Sequence, residues 1–362
     1  MVNLEPGLVL RERYRLLECI GQGGAGTVWR AEDLRLSGRI TALKAILPEY
    51  GGADVRRERQ AQFHAEASVL ARLDHPALPK VSDYFEDDGT DILVMDFVDG
   101  PDLRQVIDAA LAAGELLDVD RVVGWAEQLL DAVTYLHAQT PPVLHRDIKP
   151  ANIKLVAGER IKLVDFGLVK PLDPADPRTL TVARGVGSLP YTPLEQYAGD
   201  TGHTDVRSDV YAVGATLYHL LTGRPPDTAQ DRFLLPSALA RPRRLNPEIP
   251  ARVESAILSA MALHPERRPP TAEALKALLV GDAPLVTAVE VGTSSVAWQH
   301  AIWENAGLIA LVSLLFLLTV VATWQATAAS APTATATASP QATTAAPRAT
   351  PTAPAAAAPT GS

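Results

Sequence analysis

Gly21-Gln22-Gly23-Gly24-Ala25-Gly26-Thr27-Val28 sets four glycines between two short apolar runs. Without Cβ atoms, backbone there can come close to a polyphosphate and turn amide groups toward its charge. A dinucleotide-binding turn has the same spacing, but it should open a helix, and here a strand pattern follows. A plain hairpin turn is the other reading. Further on, Ala42-Leu43-Lys44 puts a lysine inside an apolar strand pattern, where its ammonium must find an anion. Glu66, in the helical stretch that follows, is a plausible partner, leaving the ammonium free to hold phosphate oxygens.

Two more segments follow in order: Val143-Leu144-His145-Arg146-Asp147-Ile148-Lys149-Pro150-Ala151-Asn152 and Ile161-Lys162-Leu163-Val164-Asp165-Phe166-Gly167. Taken with the glycine loop, Lys44 and Glu66, they resemble the protein kinases, through the His-Arg-Asp catalytic loop and the Asp-Phe-Gly motif. The resemblance covers about residues 14–279 and implies an α+β, bilobal fold with a β-rich N-lobe and a helical C-lobe.

By position, the resemblance implies roles. Asp147 would orient the substrate hydroxyl and accept its proton, and Lys149 would neutralise the γ-phosphate, as in serine/threonine kinases. Asn152 and Asp165 would hold Mg²⁺, with Mn²⁺ as a substitute, because a hard cation prefers oxygen ligands. Lys44, paired to Glu66, would hold the α/β-phosphates of ATP. Val28 and Ala42 would cover the adenine, Met95 would be the gatekeeper, Asp96 to Val98 the hinge, and Asp102 would meet the ribose. The floor position is Lys154, where the family usually has an apolar side chain; its stem would cover the base while the ammonium reaches water. His145 would stand in a structural column with Phe166, Leu70 and Val81 and not act as a base. Asp209 would fix the catalytic-loop backbone, and Glu195 would pair with Arg268, although Leu194 replaces the proline of the Ala-Pro-Glu motif. Ser188 would contact Asp147 and Lys149. Arg146 beside Asp147 implies control by phosphorylation of Thr179 or Thr181, since a guanidinium pairs with phosphothreonine.

The elements that must position these groups are legible in outline. Tyr14 to Ile20, Thr27 to Ala31, Ile40 to Leu47 and Ile92 to Val98 read as strands. Val55 to Leu73, Val119 to Ala138, Val206 to Leu221, Arg252 to Leu263 and Leu275 to Leu279 carry helical periodicity. The domain expected is 14–280, with an N-lobe to about residue 98 and a C-lobe from 99. Residues 281–305 lack Lys and Arg and read as a juxtamembrane linker. Residues 306–324 are an uncharged run of about 19 residues, flanked by Trp303 and Trp324, long enough to cross a hydrocarbon core as a helix. The Ala/Thr/Pro-rich residues 325–362 read as a disordered tail or stalk.

Composition bounds the function classes. A net charge of −9 excludes a broadly basic nucleic-acid binder. One cysteine, Cys19, excludes an intrachain disulfide and fits a reducing compartment, with Cys19 read as a packing residue in a strand. Met1 to Arg15 has no continuous apolar core and is not a secretory signal. ATP and Mg²⁺ are abundant in the cytoplasm, so the kinase would lie inside and the tail outside. That arrangement resembles the bacterial serine/threonine receptor kinases, with protein substrates, membrane attachment by one helix, and signals entering through partners or homodimerisation. A catalytically weak pseudokinase scaffold and a small-molecule kinase are the competing classes.

Overall fold

Alternating and β-branched residues fold the first part of the chain into strands. The structure, a computed structural model, describes residues 4–23, 26–46, 63–64, 67–165, 186–197, 204–235 and 237–281. The chain divides into Met1–Val286 and Thr287–Ser362, and every described residue lies in the first unit. Strands β1 (Val9–Leu10), β2 (Tyr14–Gly23), β3 (Gly26–Asp33), β4 (Arg39–Ile46), β5 (Val81–Asp87) and β6 (Thr90–Asp96) form one antiparallel sheet in the order β1-β2-β3-β4-β6-β5.

Register decides what each face of this sheet does. Val28 pairs with Lys44 and Lys44 with Leu93, while Ala42 pairs with Met95, so Val28, Ala42, Lys44 and Met95 share one face. On the other face Trp29, Ala31, Leu43, Ala45, Ile92 and Val94 close a core with Leu10, Tyr14, Leu16 and Phe85. The β2–β3 hairpin needs a glycine where it meets β4. Gly26 has φ +144°, and a Cβ there would overlap the Ala45 carbonyl oxygen.

Beyond β6, the regular elements among the described residues are helices apart from one hairpin. Helices α1 (Leu103–Ala112), α2 (Val119–His137), α3 (Val206–Thr222), α4 (Ala229–Leu234), α5 (Pro242–Leu245), α6 (Ala251–Ala260) and α7 (Ala272–Val280) surround β7 (Ile153–Val156) and β8 (Arg160–Leu163). Along α2 a stripe of Val122, Trp125, Leu129, Leu130, Val133 and Leu136 is buried. By contrast α3 is buried on every side from Ser208 to Thr222, because its sequence is apolar all round. Asp205 caps its start by accepting from the Arg207 amide at 2.8 Å, and left-handed Gly223 (φ +69°) ends it. The loop 74–78 is tied to helical-lobe elements: the Asp74 amide donates to the Tyr135 hydroxyl at 2.9 Å, Leu163 N donates to the Ala77 carbonyl at 2.8 Å, and Lys162 Nζ donates to the Leu78 carbonyl at 3.1 Å.

Several expected bounds shift. The strand expected to reach Val98 ends at Asp96, and the helix expected to reach Leu263 ends at Ala260. The final helix starts at Ala272, where the Thr271 hydroxyl accepts from the Ala274 amide at 3.1 Å. α1, α4, α5, β1, β5, β7 and β8 had no counterpart in the sequence reading. Of the helix expected over 55–73, residues 63–64 and 67–70 are helical, and 55–62 and 65–66 lie outside the described residues. Cys19 is exposed, so it is not a packing residue; its Sγ donates to the Gly21 carbonyl at 3.4 Å. No helix among the described residues is long and apolar enough to cross a membrane, and the run 306–324 lies outside them.

Candidate active site

A carboxylate buried in an apolar helix must be surrounded by donors, and Asp209 is. It sits in the first turn of α3, where the helix dipole favours negative charge, and is 0% exposed. Its Oδ2 accepts from His145 N at 2.9 Å and from His137 Nε2 at 2.9 Å, and its Oδ1 accepts from Arg146 N at 2.8 Å. Burial alone would push this carboxyl up. The hydrogen bond and charge of His137, with His145 beside it, hold it below the usual carboxylate range. Asp209 therefore clamps the loop one residue before Asp147. Arg146 needs the clamp, since its φ of +63° is left-handed, a conformation that costs a non-glycine residue on the order of 1–3 kcal/mol.

Beyond the clamp, the polar groups converge. Lys149 Nζ donates to Asp147 Oδ2 at 3.0 Å and Oδ1 at 3.2 Å, and to Ser188 Oγ at 2.7 Å. Asn152 Nδ2 donates to the Asp147 carbonyl at 2.8 Å and to its Oδ2 at 3.0 Å. The β7–β8 ladder carries Asn152 and Asp165 to the same place, with Val164 N donating to the Asn152 carbonyl at 2.8 Å. Asp165 is left-handed too (φ +58°), and its side chain is 41% exposed. Lys44, buried on the sheet's cleft face, forms an ion pair with the Asp165 carboxylate. Burial works to raise the Asp165 carboxyl, but the charge and hydrogen bond of Lys44, helped by His145 and Lys149, hold it low and ionised.

The segment after the catalytic loop is anchored from below. Arg268, with a fully buried side chain, grips Glu195 through two parallel bonds, Nη1 to Oε1 at 2.6 Å and Nη2 to Oε2 at 3.0 Å. Ser208 Oγ also donates to Glu195 Oε1 at 2.8 Å. Nearby, the Tyr191 hydroxyl and His219 Nδ1 lie 2.6 Å apart in the core. Burial, with Arg104 nearby, pushes the His219 imidazole down to about 4, so it is neutral at pH 7 and the phenol donates. Burial also pushes the Tyr191 phenol up to about 12.

On the nucleotide side, Ala42 and Met95 are buried and Val28 is half-buried on the cleft face. Gly21 and Gly23 lie in β2, and Gly26 opens β3. Asp96 turns its side chain to Arg39 at 3.1 Å and to the Lys80 amide at 3.2 Å, and Val98 follows the strand end. Asp102 caps α1, accepting from the Gln105 amide at 2.9 Å. The Lys154 ammonium donates to the Gly100 carbonyl at 3.0 Å, and the side chain is half-buried. His145 is fully buried, with Leu70 buried and Val81 partly so. Gly24, Glu66, Phe166, Thr179 and Thr181 lie outside the described residues.

Sequence reasoning missed His137, Ser208 and the Tyr191–His219 pair. The available signal was charge balance. Asp209 and His219 interrupt an otherwise apolar helix, so each needed a buried partner, and His137 ends the amphipathic helix that leads into the catalytic loop.

A profile of the family described as Protein kinase domain matches residues 14–277. The chain belongs to the Hanks-type protein kinase family. This kinase domain is 35% identical over 277 residues to serine/threonine-protein kinase PrkC of Bacillus subtilis, covering 73% of this chain and 40% of that protein. It is 32% identical over 271 residues to probable serine/threonine-protein kinase PknB of Lactococcus lactis, covering 72% and 40%. The chain thus spans about two-fifths of the length of these relatives. Among solved structures it is similar to the PpkA-294 apo form, with a TM-score of 0.61, 27% identity, and 76% and 99% of the two chains covered. The Mycobacterium tuberculosis PknI kinase domain is similar at a TM-score of 0.57 and 28% identity, covering 76% and 98%.

Proposed function

We propose that this kinase transfers the γ-phosphate of ATP to serine and threonine hydroxyls of proteins, in signalling linked to a membrane. The observation that carries the reading is Lys149, whose ammonium bridges Asp147 and Ser188. It places a cation and a proton acceptor where a hydroxyl nucleophile and a phosphoryl group must meet. The substrate hydroxyl oxygen forms a bond to the γ-phosphorus, its proton passes to Asp147, and the bond to the β,γ-bridging oxygen breaks to release ADP. Lys44 on the sheet and Asp165 on the helical lobe face each other across the cleft, so polyphosphate would come between them.

The donor set fits Mg²⁺. Asp165 is ionised and partly exposed, and Asn152 commits its amide nitrogen to Asp147, so its oxygen is the atom available to a hard cation. When bound, Mg²⁺ would neutralise developing phosphate charge. The uncharged run 306–324 supports a single membrane span with the kinase on the cytoplasmic side, and Arg146 supports autophosphorylation at Thr179 or Thr181.

The test is transfer of label from radioactive ATP with Mg²⁺ by the purified chain, beside Asp147→Asn and Lys44→Met. Label on Ser/Thr of the wild type alone is the expected result, and mass spectrometry would place it on the 166–185 segment. Silence from well-folded wild type, with a generic protein substrate added, would replace this reading with a scaffold.

A further inference from the structure

Burying a Leu or Phe side chain is worth about 1.5–3 kcal/mol, so a run of three left in water needs a reason. Phe233, Leu234 and Leu235, at the end of α4, are 60%, 80% and 59% exposed. No other stretch among the described residues exposes three large apolar side chains in succession. The chain then folds back onto the domain: Ala238 N donates to the Leu235 carbonyl at 2.9 Å and the Tyr218 hydroxyl to the Ala240 carbonyl at 3.0 Å. Immediately after this come Arg241, Arg243 and Arg244, all exposed. Glu254 lies 3.7 Å from Arg241, while Arg243 and Arg244 have no carboxylate partner among the described residues.

Helix α6 connects these arginines to the end of α7. Glu254 also accepts from the Arg243 amide at 2.9 Å, and Arg252, two residues earlier on α6, donates to the Val280 and Gly281 carbonyls at 3.3 and 3.4 Å. Arg252 thus meets Gly281, while Arg241 and the Arg243 amide meet Glu254 on the same helix, in a chain whose net charge is −9. From Gly281, 24 residues of sequence precede the uncharged run at 306.

We infer that this face docks on an anionic lipid bilayer, with Phe233 to Leu235 entering the headgroup boundary and Arg243 and Arg244 meeting lipid phosphates. The inference rests on the membrane-linked reading above, which would hold the bilayer within reach of the domain. A second copy of the chain would cover the apolar side chains but, at a net charge of −9, supplies no concentrated anion for exposed Arg243 and Arg244, as lipid phosphates do.

The test uses the full chain with Cys19→Ser and Leu234→Cys, labelled with nitrobenzoxadiazole. It is reconstituted into vesicles of phosphatidylcholine, with or without phosphatidylglycerol, containing doxyl-labelled lipid. We expect quenching of the label only with phosphatidylglycerol, relieved by high salt, and none for a label at Leu36→Cys on the other lobe. Arg243→Gln with Arg244→Gln should lower the docked-to-undocked ratio about 25-fold, roughly five-fold for each arginine, while transfer activity in detergent stays unchanged. A vesicle-bound chain with no quenching at position 234 overturns docking and leaves the span intact. Extraction of the chain by alkaline carbonate removes the span, and quenching measured before extraction still decides docking. A blue shift that grows with protein concentration and ignores lipid composition assigns the face to a second copy and also overturns the inference.

Discussion

The two carboxylates that flank the reaction are supported in opposite ways. Asp147 follows a loop clamped by Asp209, a fully buried group that receives three donors. Asp165 is 41% exposed and held across the cleft by Lys44. The loop that carries Asp147 is therefore tied to the core, whereas Asp165 belongs to the cleft, where it meets Lys44 of the sheet. A group that must keep one position through every turnover is built into a helix. A group that must exchange partners when nucleotide arrives is left at a surface.

Breaking the clamp should have the largest effect. Asp209→Ala leaves the His145 and Arg146 amides and His137 without their acceptor, and we expect a loss of about 3–5 kcal/mol in urea unfolding, together with loss of transfer. The second prediction concerns pH. His219 is held to about 4 in the folded chain but titrates near 6.5 when unfolded, so the unfolded state binds the extra proton between those values. Stability should therefore fall as pH drops from 6.5 toward 4, by about 3 kcal/mol in all, and His219→Gln should flatten that limb in unfolding measured at several pH values.

Lys44→Met sharpens the contrast from the other side. It should leave stability within about 1 kcal/mol, since Asp165 is open to solvent, while kcat/KM falls on the order of 10²–10³-fold. The smallest change is expected from Arg104→Ala. The Arg104–Asp108 pair is an exposed i,i+4 contact worth about 0.3–0.5 kcal/mol, but Arg104 also lowers His219, so without it the acid limb should become slightly shallower, its lower end rising in pH.

The sequence made the chemistry more legible than the scaffold that supports it. The resemblance to the protein kinases named Asp147, Lys149, Asn152 and Asp165, because the His-Arg-Asp and Asp-Phe-Gly motifs that carry it stand in the sequence unbroken. It did not show that Asp209 is shared with His137, since a pair 72 residues apart has no local pattern. Nor did it show β7 and β8, whose four-residue strands are too short for periodicity to register. Cys19 misled because a strand pattern says which residues alternate, not which face is covered. Lys154 shows a different limit: a carbonyl acceptor such as that of Gly100 is invisible in side-chain chemistry.

The three hydrogen bonds that hold loop 74–78 give this kinase a fixed axle. The loop is threaded between strands of the sheet, yet its backbone answers to Tyr135, Lys162 and Leu163 of the other lobe. We therefore expect residues 74–78 to move with the helical lobe in any opening of the cleft. In amide exchange the Asp74 and Leu163 protons should accordingly keep time with α2 and not with β5 or β6.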